Sequence, residues 1–341
     1  MAGLAKQTKI AIVGATGFLG REVLKALDES ELLVVEPLLL SVGEDVGEML
    51  TCQGEDILTQ NLEDADFNNV TIALFCGSQE ITKKYAPKAM AAGAMVLDAS
   101  GGLRDSGVMI TGAEPPAPEK LKKHGGVLPQ PLAQTLAKVF SAIHAHYPLQ
   151  EASVSTYQTV ATAGMSAVED VAGKSIELLS GSGGEDDSKS HLFAYQAAFN
   201  VLPHVGEFTE DGQTTTEQDI LTDFKTLCGD FPLSVGCAYV PTFVGDAMDA
   251  VLRFAKYAPT PEDLRALFSP ASGVMVLDNP AENEYATPYG AAETSYIFLS
   301  RVRRDPAFAN GMRLWLVADH IRVAQARMLV KHTEALVHQS Q

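Results

Sequence analysis

The chain has 341 residues, 46% of them hydrophobic, which is enough for two cores of ordinary size. Its 43 acidic residues against 25 Lys plus Arg leave a net charge of -18, which argues against nucleic-acid or membrane partners held by general electrostatics. The 4 cysteines, Cys52, Cys76, Cys228 and Cys237, share no metal-type spacing and are too few for a disulfide scaffold; with no leader-like start and no apolar run of about 18 residues, the expectation is a cytoplasmic protein.

The first predicted strand, "KIAIVG", runs into "VGATGFLG", where Gly14, Thr16, Gly17, Phe18, Leu19 and Gly20 span the turn and the start of a helix near residues 18 to 29. Glycines there allow a tight turn, close approach to a pyrophosphate and close packing of helix on strand, so these residues are the candidate cofactor loop. The apolar runs "VVEPLLLSV", "TIALFCG" and "AMVLDAS", with a helix near 80 to 92, continue the alternation. That alternation predicts βαβ units and a mostly parallel sheet. At the end of the second strand, Ser41 is followed by Glu44 and Asp45, where a 2'-phosphate would want an arginine. NAD is therefore possible as a cofactor and NADP is disfavoured.

Residues 124 to 140, "HGGVLPQPLAQTLAKVF", read as a short strand entering an apolar helix. The junction holds Pro129, Gln130, Pro131 and Leu132, none of which is a nucleophile, and Pro131 suits a first-turn helix position. From about residue 150 longer strand-like runs dominate, including "ASVSTYQTVA", "LSVGCAYVPTFV", "AMDAVLRFA" and "TSYIFLSRVRR", around the amphipathic "SAVEDVAGKSIELLS". They predict a second, α+β domain with a mixed or antiparallel sheet. The stretch "SGSGGEDDSKS" at 180 to 190 reads as a solvated loop. The end, "RLWLVADHIRVAQARMLVKHTEALVHQ", is a strand and a long helix that rejoin the first domain. The expected division is 1–130 with 313–341 as a Rossmann-type dinucleotide-binding domain, and 131–312 as the second domain. His144 and His146, two apart at a helix end, do not make a metal pair, and no metal site is expected.

Taken together, "IAIVGATGFLGREVL", "IALFCGSQEITKKYAPKAMAAGAMVLDAS", "STYQTVATAGM", "AAFNVLPHV", "SRVRRD" and "LWLVAD" resemble the aspartate-semialdehyde dehydrogenase family over nearly the whole chain. The resemblance implies the semialdehyde dehydrogenase fold, a homodimer formed through the second domain, and a covalent mechanism in which a cysteine at a helix start attacks the aldehyde. It also implies positions for the site. The cysteine falls on Pro131, or on Leu132 with a one-residue shift, the proton-shuttling histidine on Asp246, the arginine that grips the substrate carboxylate on Tyr239, and a phosphate-gripping lysine on Asp219. Arg104, Gln158 and Glu217 match family positions that bind phosphate or substrate. With nucleophile and histidine replaced, the chain is similar to Usg-type paralogues of that family, and the expectation is a catalytically degenerate homologue with a binding or assembly role, its protein partner unspecified. The alternative is an oxidoreductase acting on an aldehyde or oxo group without a cysteine, with Tyr239 or Asp246 as the acid.

Overall fold

A computed structural model describes residues 8–112, 114–181 and 192–339. Most of the acidic stretch at 180 to 190 lies outside the described residues. Two compact units form: one from the residues up to Pro129 together with those from Ala324 on, the other from Gln130–Val323.

In the first unit, among the described residues, a seven-stranded sheet has the order Gln60–Asn61, Leu38–Ser41, Ile10–Val13, Ile72–Phe75, Met95–Asp98, Gly126–Val127 and Val108–Met109. Every pairing in it is parallel. The four-residue strands Ile10–Val13, Ile72–Phe75 and Met95–Asp98 are buried throughout, as expected when both faces are covered. The strand order reverses between Ile10–Val13 and Ile72–Phe75, the position where open α/β sheets bind ligands. Helix Phe18–Asp28 buries Val23, Leu24 and Leu27 in a cluster that includes Leu329, Val330 and Leu336 of the C-terminal helix Arg327–Gln339.

Two of the three loop glycines are demanded by space. Gly14 has φ +84°, and a Cβ on it would lie 2.8 Å from the Gly77 backbone. A Cβ on Gly20 would lie 2.2 Å from the Gly14 carbonyl, whereas one on Gly17 meets nothing nearer than 3.5 Å. Gly14→Ala and Gly20→Ala are each expected to cost roughly 1–3 kcal/mol through overpacking. Gly17→Ala is expected to leave stability unchanged within about 1 kcal/mol while obstructing close approach of a phosphate. Urea unfolding of the three variants checks this; equal losses at all three would contradict it.

The second unit carries a six-stranded mixed sheet in the order Leu233–Val240, Leu149–Thr159, Asp246–Phe254, Gly311–Ala318, Ile297–Arg304 and Val274–Val276. Along Leu149–Thr159 the side chains alternate, with Ala152, Val154, Thr156 and Gln158 buried. The helices Pro131–His146 and Thr215–Cys228 cover that face, with Leu132, Leu136, Phe140 and Phe224 meeting Val154, Met248 and Leu316 in one core. On the other face Glu151 pairs with Arg253 and Asp249 with Arg313, and Tyr157 packs on Trp315.

The division differs from the expected one at both joins. Strand Gly311–Ala318 is hydrogen-bonded on both edges, to Asp246–Phe254 and to Ile297–Arg304, so it is a central strand of the second sheet. The chain therefore re-enters the first unit only at Ala324, not at 313, and the first unit ends at Pro129, so Gln130 belongs to the second.

Candidate functional site

The glycine loop opens onto a bare helix end. Helix Phe18–Asp28 has Gly17 at its N-cap, no side chain capping it and no acidic residue in its first turn. Its first N–H groups are thus open to an anion such as a pyrophosphate. Phe18 begins the helix, and Leu19 packs on the core. Thr16 donates its hydroxyl to Asp45 Oδ2 at 2.9 Å. The Asp45 carbonyl in turn accepts from Ser41 Oγ at 3.1 Å and Thr59 Oγ1 at 2.8 Å. Ser41 is buried and ties down the loop that follows it. Arg21 donates from Nε to the Thr16 carbonyl at 2.8 Å, and its other end lies 2.6 Å from Glu48. A carboxylate thus stands beside the glycine loop, and the guanidinium next to it is already paired.

Asp98 ends its strand fully buried and organises the turn that carries Arg104. It accepts from Ser100 N and Oγ, both at 2.7 Å, and from Leu103 N at 2.8 Å. Desolvation holds its carboxyl above the usual range, against the opposing pull of those hydrogen bonds and of Arg104. Arg104 is half-buried, its N–H on the Gly101 carbonyl. Cys76 lies nearby, and burial, followed by the Asp98 charge, pushes its thiol far up, so it is an inert thiol.

In the second unit, one end of the sheet gathers several of the residues singled out from sequence. Register places Tyr239 beside Gln158, and Asp246 beside Ala318. Because Tyr157 pairs with Ala247, Gln158 and Asp246 are neighbours one step further along. Tyr239, Gln158, Asp246 and Ala318 therefore form a row across four strands on the helix-covered face. Gln158 is 3% exposed and donates to Thr156 Oγ1 at 3.1 Å. Asp246 is 3% exposed and uses both oxygens: Oδ1 accepts from Thr159 N at 2.7 Å, and Oδ2 lies 3.0 Å from His320 Nδ1.

His320 carries no signal in the sequence that marks it as a site residue. It stands two residues beyond strand Gly311–Ala318 and 74 positions from its carboxylate, a separation with no local signature. A carboxylate only accepts, so Nδ1 carries the proton and, in the neutral ring, Nε2 presents a lone pair. That Nε2 is buried, and no hydrogen-bond partner reaches it.

Helix Pro131–His146 returns through Tyr147 and Pro148 into strand Leu149–Thr159, so its start lies toward the row's end of the sheet. That start is closed by its own residues. Pro131 occupies the first helical position and has no N–H, while Gln130 Oε1 accepts from Leu132 N at 2.7 Å and Ala133 N at 3.3 Å. The Gln130 N–H is itself held by Asp223 at 2.6 Å. The donors that would steady a thiolate or an oxyanion at a helix start are occupied.

Two further residues have work within the fold. Glu217 accepts from Thr214 N at 2.8 Å as part of a capping box and from Cys237 N at 2.9 Å, which joins its helix to strand Leu233–Val240. Tyr239 exchanges backbone hydrogen bonds with Leu202 and sets its ring against Phe193 at 5.2 Å. Burial raises its hydroxyl above the ordinary tyrosine range, which disfavours the ionised form of this candidate acid. The Cys52 and Cys237 thiols are each pushed up to about 11, mainly by burial. Cys228 lies 3.3 Å from Ser141 Oγ and 3.9 Å from the Ala137 carbonyl, well past the start of helix Pro131–His146. Among the described residues no group of three or more His, Cys, Asp or Glu is placed to hold a metal ion, and no helix is long and apolar enough to cross a membrane.

Comparison with known proteins covers both units. Residues 9–124 match the semialdehyde dehydrogenase NAD binding domain and residues 140–323 the semialdehyde dehydrogenase dimerisation domain. An aspartate-semialdehyde dehydrogenase of Aquifex aeolicus is 33% identical, covering 96% of this chain and 98% of its own. One from Legionella pneumophila is 30% identical, covering 98% and 96%. The crystal structure of aspartate semialdehyde dehydrogenase II from Vibrio cholerae, complexed with ASA, superposes with a TM-score of 0.87 at 26% identity, over 98% of this chain and 100% of that one.

Proposed function

Because the chain belongs to the aspartate-semialdehyde dehydrogenase family, we propose that it keeps the nicotinamide-dinucleotide-binding unit and has lost the covalent aldehyde chemistry, acting as a binding or assembly protein. The observation that carries this reading is the contrast between two helix starts. The one after the glycine loop is uncapped and free to receive a phosphate; the one at Pro131 is sealed by Gln130. Without a thiolate at that second start, no thiohemiacetal or acyl-enzyme forms, and the four cysteines stand elsewhere with their thiols pushed up.

The cofactor loop fits the cofactor class. Gly14 and Gly20 let the loop pack against the Gly77 backbone and the Gly14 carbonyl, Gly17 leaves room beside the helix start, and the Phe18–Asp28 helix directs its uncapped N–H groups there. When bound, a nicotinamide dinucleotide supplies hydride exchange; the residues of this chain bind and orient it. Asp45 beside Thr16, with Arg21 held by Glu48, favours a ribose hydroxyl over a 2'-phosphate, so NAD is the preferred form.

The purified protein is expected to reduce neither NAD nor NADP with L-aspartate β-semialdehyde and phosphate above the heat-treated control. Pro131→Cys alone is expected to restore no turnover, because the neighbouring N–H groups remain on Gln130. Robust turnover by the unmodified protein would overturn the reading. Titration calorimetry is expected to show NAD binding at least about tenfold tighter than NADP, a difference of about 1.4 kcal/mol. The dimerisation-domain match supports a homodimer, and a monomer at micromolar concentration in sedimentation equilibrium would contradict it.

A further inference from the structure

We propose that the open face of the second unit's sheet carries a binding site for a small aromatic carboxylate, whose anionic group meets Arg301 and Arg303 and whose ring lies among Tyr157, Tyr285 and Trp315. These five side chains line one cavity of about 460 Å3, together with Asp249 and the segment Ala286, Thr287 and Pro288. All of its lining residues belong to the second unit. Tyr157 precedes Gln158 on its strand and faces the opposite side of the sheet, so the cavity is separate from the row that contains Gln158 and Asp246.

The backbone is shaped to present Arg301. Pairing of strand Ile297–Arg304 with Gly311–Ala318 shifts register between Ser300 and Arg303, and inside that bulge Arg301 takes φ +54°, a left-handed conformation that so large a side chain seldom adopts. Asp278 holds the bulge. Its carboxylate, 1% exposed, accepts from Arg301 N at 2.8 Å, from Val302 N at 3.0 Å and from Arg265 Nε at 2.8 Å. A buried ion pair thus sustains local strain, and strain of this kind clusters where a side chain has a ligand to meet. The aromatic wall is fixed as well: Trp315 Nε1 donates to the Ala286 carbonyl at 3.0 Å, and its ring lies 5.6 Å from that of Tyr157.

Charge decides the sign of the ligand. In a chain with a net charge of -18, this spot is cationic. Asp249 is held on both oxygens by Arg313, whose Nε lies 3.0 Å from each. Among the described residues neither Arg301 nor Arg303 has an ion-pair partner, and the Arg303 guanidinium donates to the Arg301 carbonyl at 2.7 Å. Burial, followed by the charges of Arg301 and Arg313, holds the Arg303 guanidinium below its usual range, against the opposing pull of Asp249 and Asp305. A carboxylate relieves that repulsion and matches the planar donors of a guanidinium. Tyr157, Tyr285 and Trp315 then favour a flat ring over a saturated one, through edge and face contacts.

Trp315 is the single tryptophan of the chain, so its emission reports on this cavity. The test uses the full-length protein without cofactor, so that loss of NAD binding leaves its outcome untouched, and three probes: benzoate, benzamide, which lacks the charge, and cyclohexanecarboxylate, which lacks the aromatic ring. Benzoate is expected to change Trp315 emission saturably. In titration calorimetry it is expected to bind at least about tenfold more tightly than benzamide and about threefold more tightly than cyclohexanecarboxylate. Arg301→Gln and Arg303→Gln are each expected to weaken benzoate at least about fivefold and to leave benzamide unchanged, with thermal unfolding as in wild type. Equal affinity for benzoate and benzamide, benzoate binding that leaves Trp315 emission unchanged, or no benzoate binding would overturn the proposal. So would Trp315 emission that shifts with protein concentration and ignores benzoate, the mark of a second copy occupying the face.

Discussion

Acidification from pH 7 to pH 4 is expected to remove about 3 kcal/mol of folding stability through one side chain, His332. It lies on the C-terminal helix Arg327–Gln339, fully buried, with neither ring nitrogen hydrogen-bonded. Burial, helped by the nearby Lys331 charge, lowers its pKa from 6.5 to about 4. Between those values the unfolded chain binds a proton that the folded chain refuses, so stability falls as pH falls through the window. Below about pH 4 both states are protonated, and the loss levels off. His332→Leu keeps a side chain of similar bulk, removes the two unpaired nitrogens and abolishes this titration. The variant is expected to be more stable than wild type at every pH, with a margin that widens from pH 7 to pH 4. Urea midpoints for the two proteins across that range provide the measurement. A constant margin would show that the ring is already charged, or otherwise satisfied, in the native state.

Removing the Asp98 carboxylate is expected to cost roughly 3–5 kcal/mol, since three hydrogen bonds to one buried acceptor are lost together. The donors left behind, Ser100 N, Ser100 Oγ and Leu103 N, all belong to the turn that leads to Arg104. Asp98→Ala should therefore release the turn as well as lower stability, seen as faster amide exchange at Ser100 and Leu103. Asp98→Asn keeps the shape but presents one oxygen where two accepted, so an intermediate loss is expected. If Asp98→Ala unfolds at the wild-type urea concentration, the turn is held by other contacts.

The parts of the molecule legible from sequence are those in which neighbours along the chain are neighbours in space. The glycine loop, the buried strand Ile10–Val13 and helix Phe18–Asp28 follow one another within twenty residues, and spacing alone places them. The proline at the start of helix Pro131–His146 is legible for the same reason. In the sequence Gln130 reads only as a residue unable to attack; that its side chain closes the helix start is clear from the geometry. The sequence pattern sends strand Gly311–Ala318 to the wrong domain because a βα pattern looks the same whichever sheet the strand joins; pairing on both edges decides it. Glu217 and Tyr239 match ligand-facing positions in the sequence, and the fold gives one to a capping box and strand anchor and the other to an aromatic contact.

By itself the sequence determined the architecture of each unit, through the period of its apolar residues, and the lack of a cysteine at residues 129 to 132, through residue identity. Only the tertiary structure decided what the polar residues do. Asp246 and His320 become a pair because two antiparallel strands bring residues 74 positions apart to 3.0 Å in a place closed to water. Asp45 comes to Thr16 because a turn folds back onto the glycine loop. Burial and partnership set the character of a titratable side chain, and both depend on long-range contacts that local spacing does not encode.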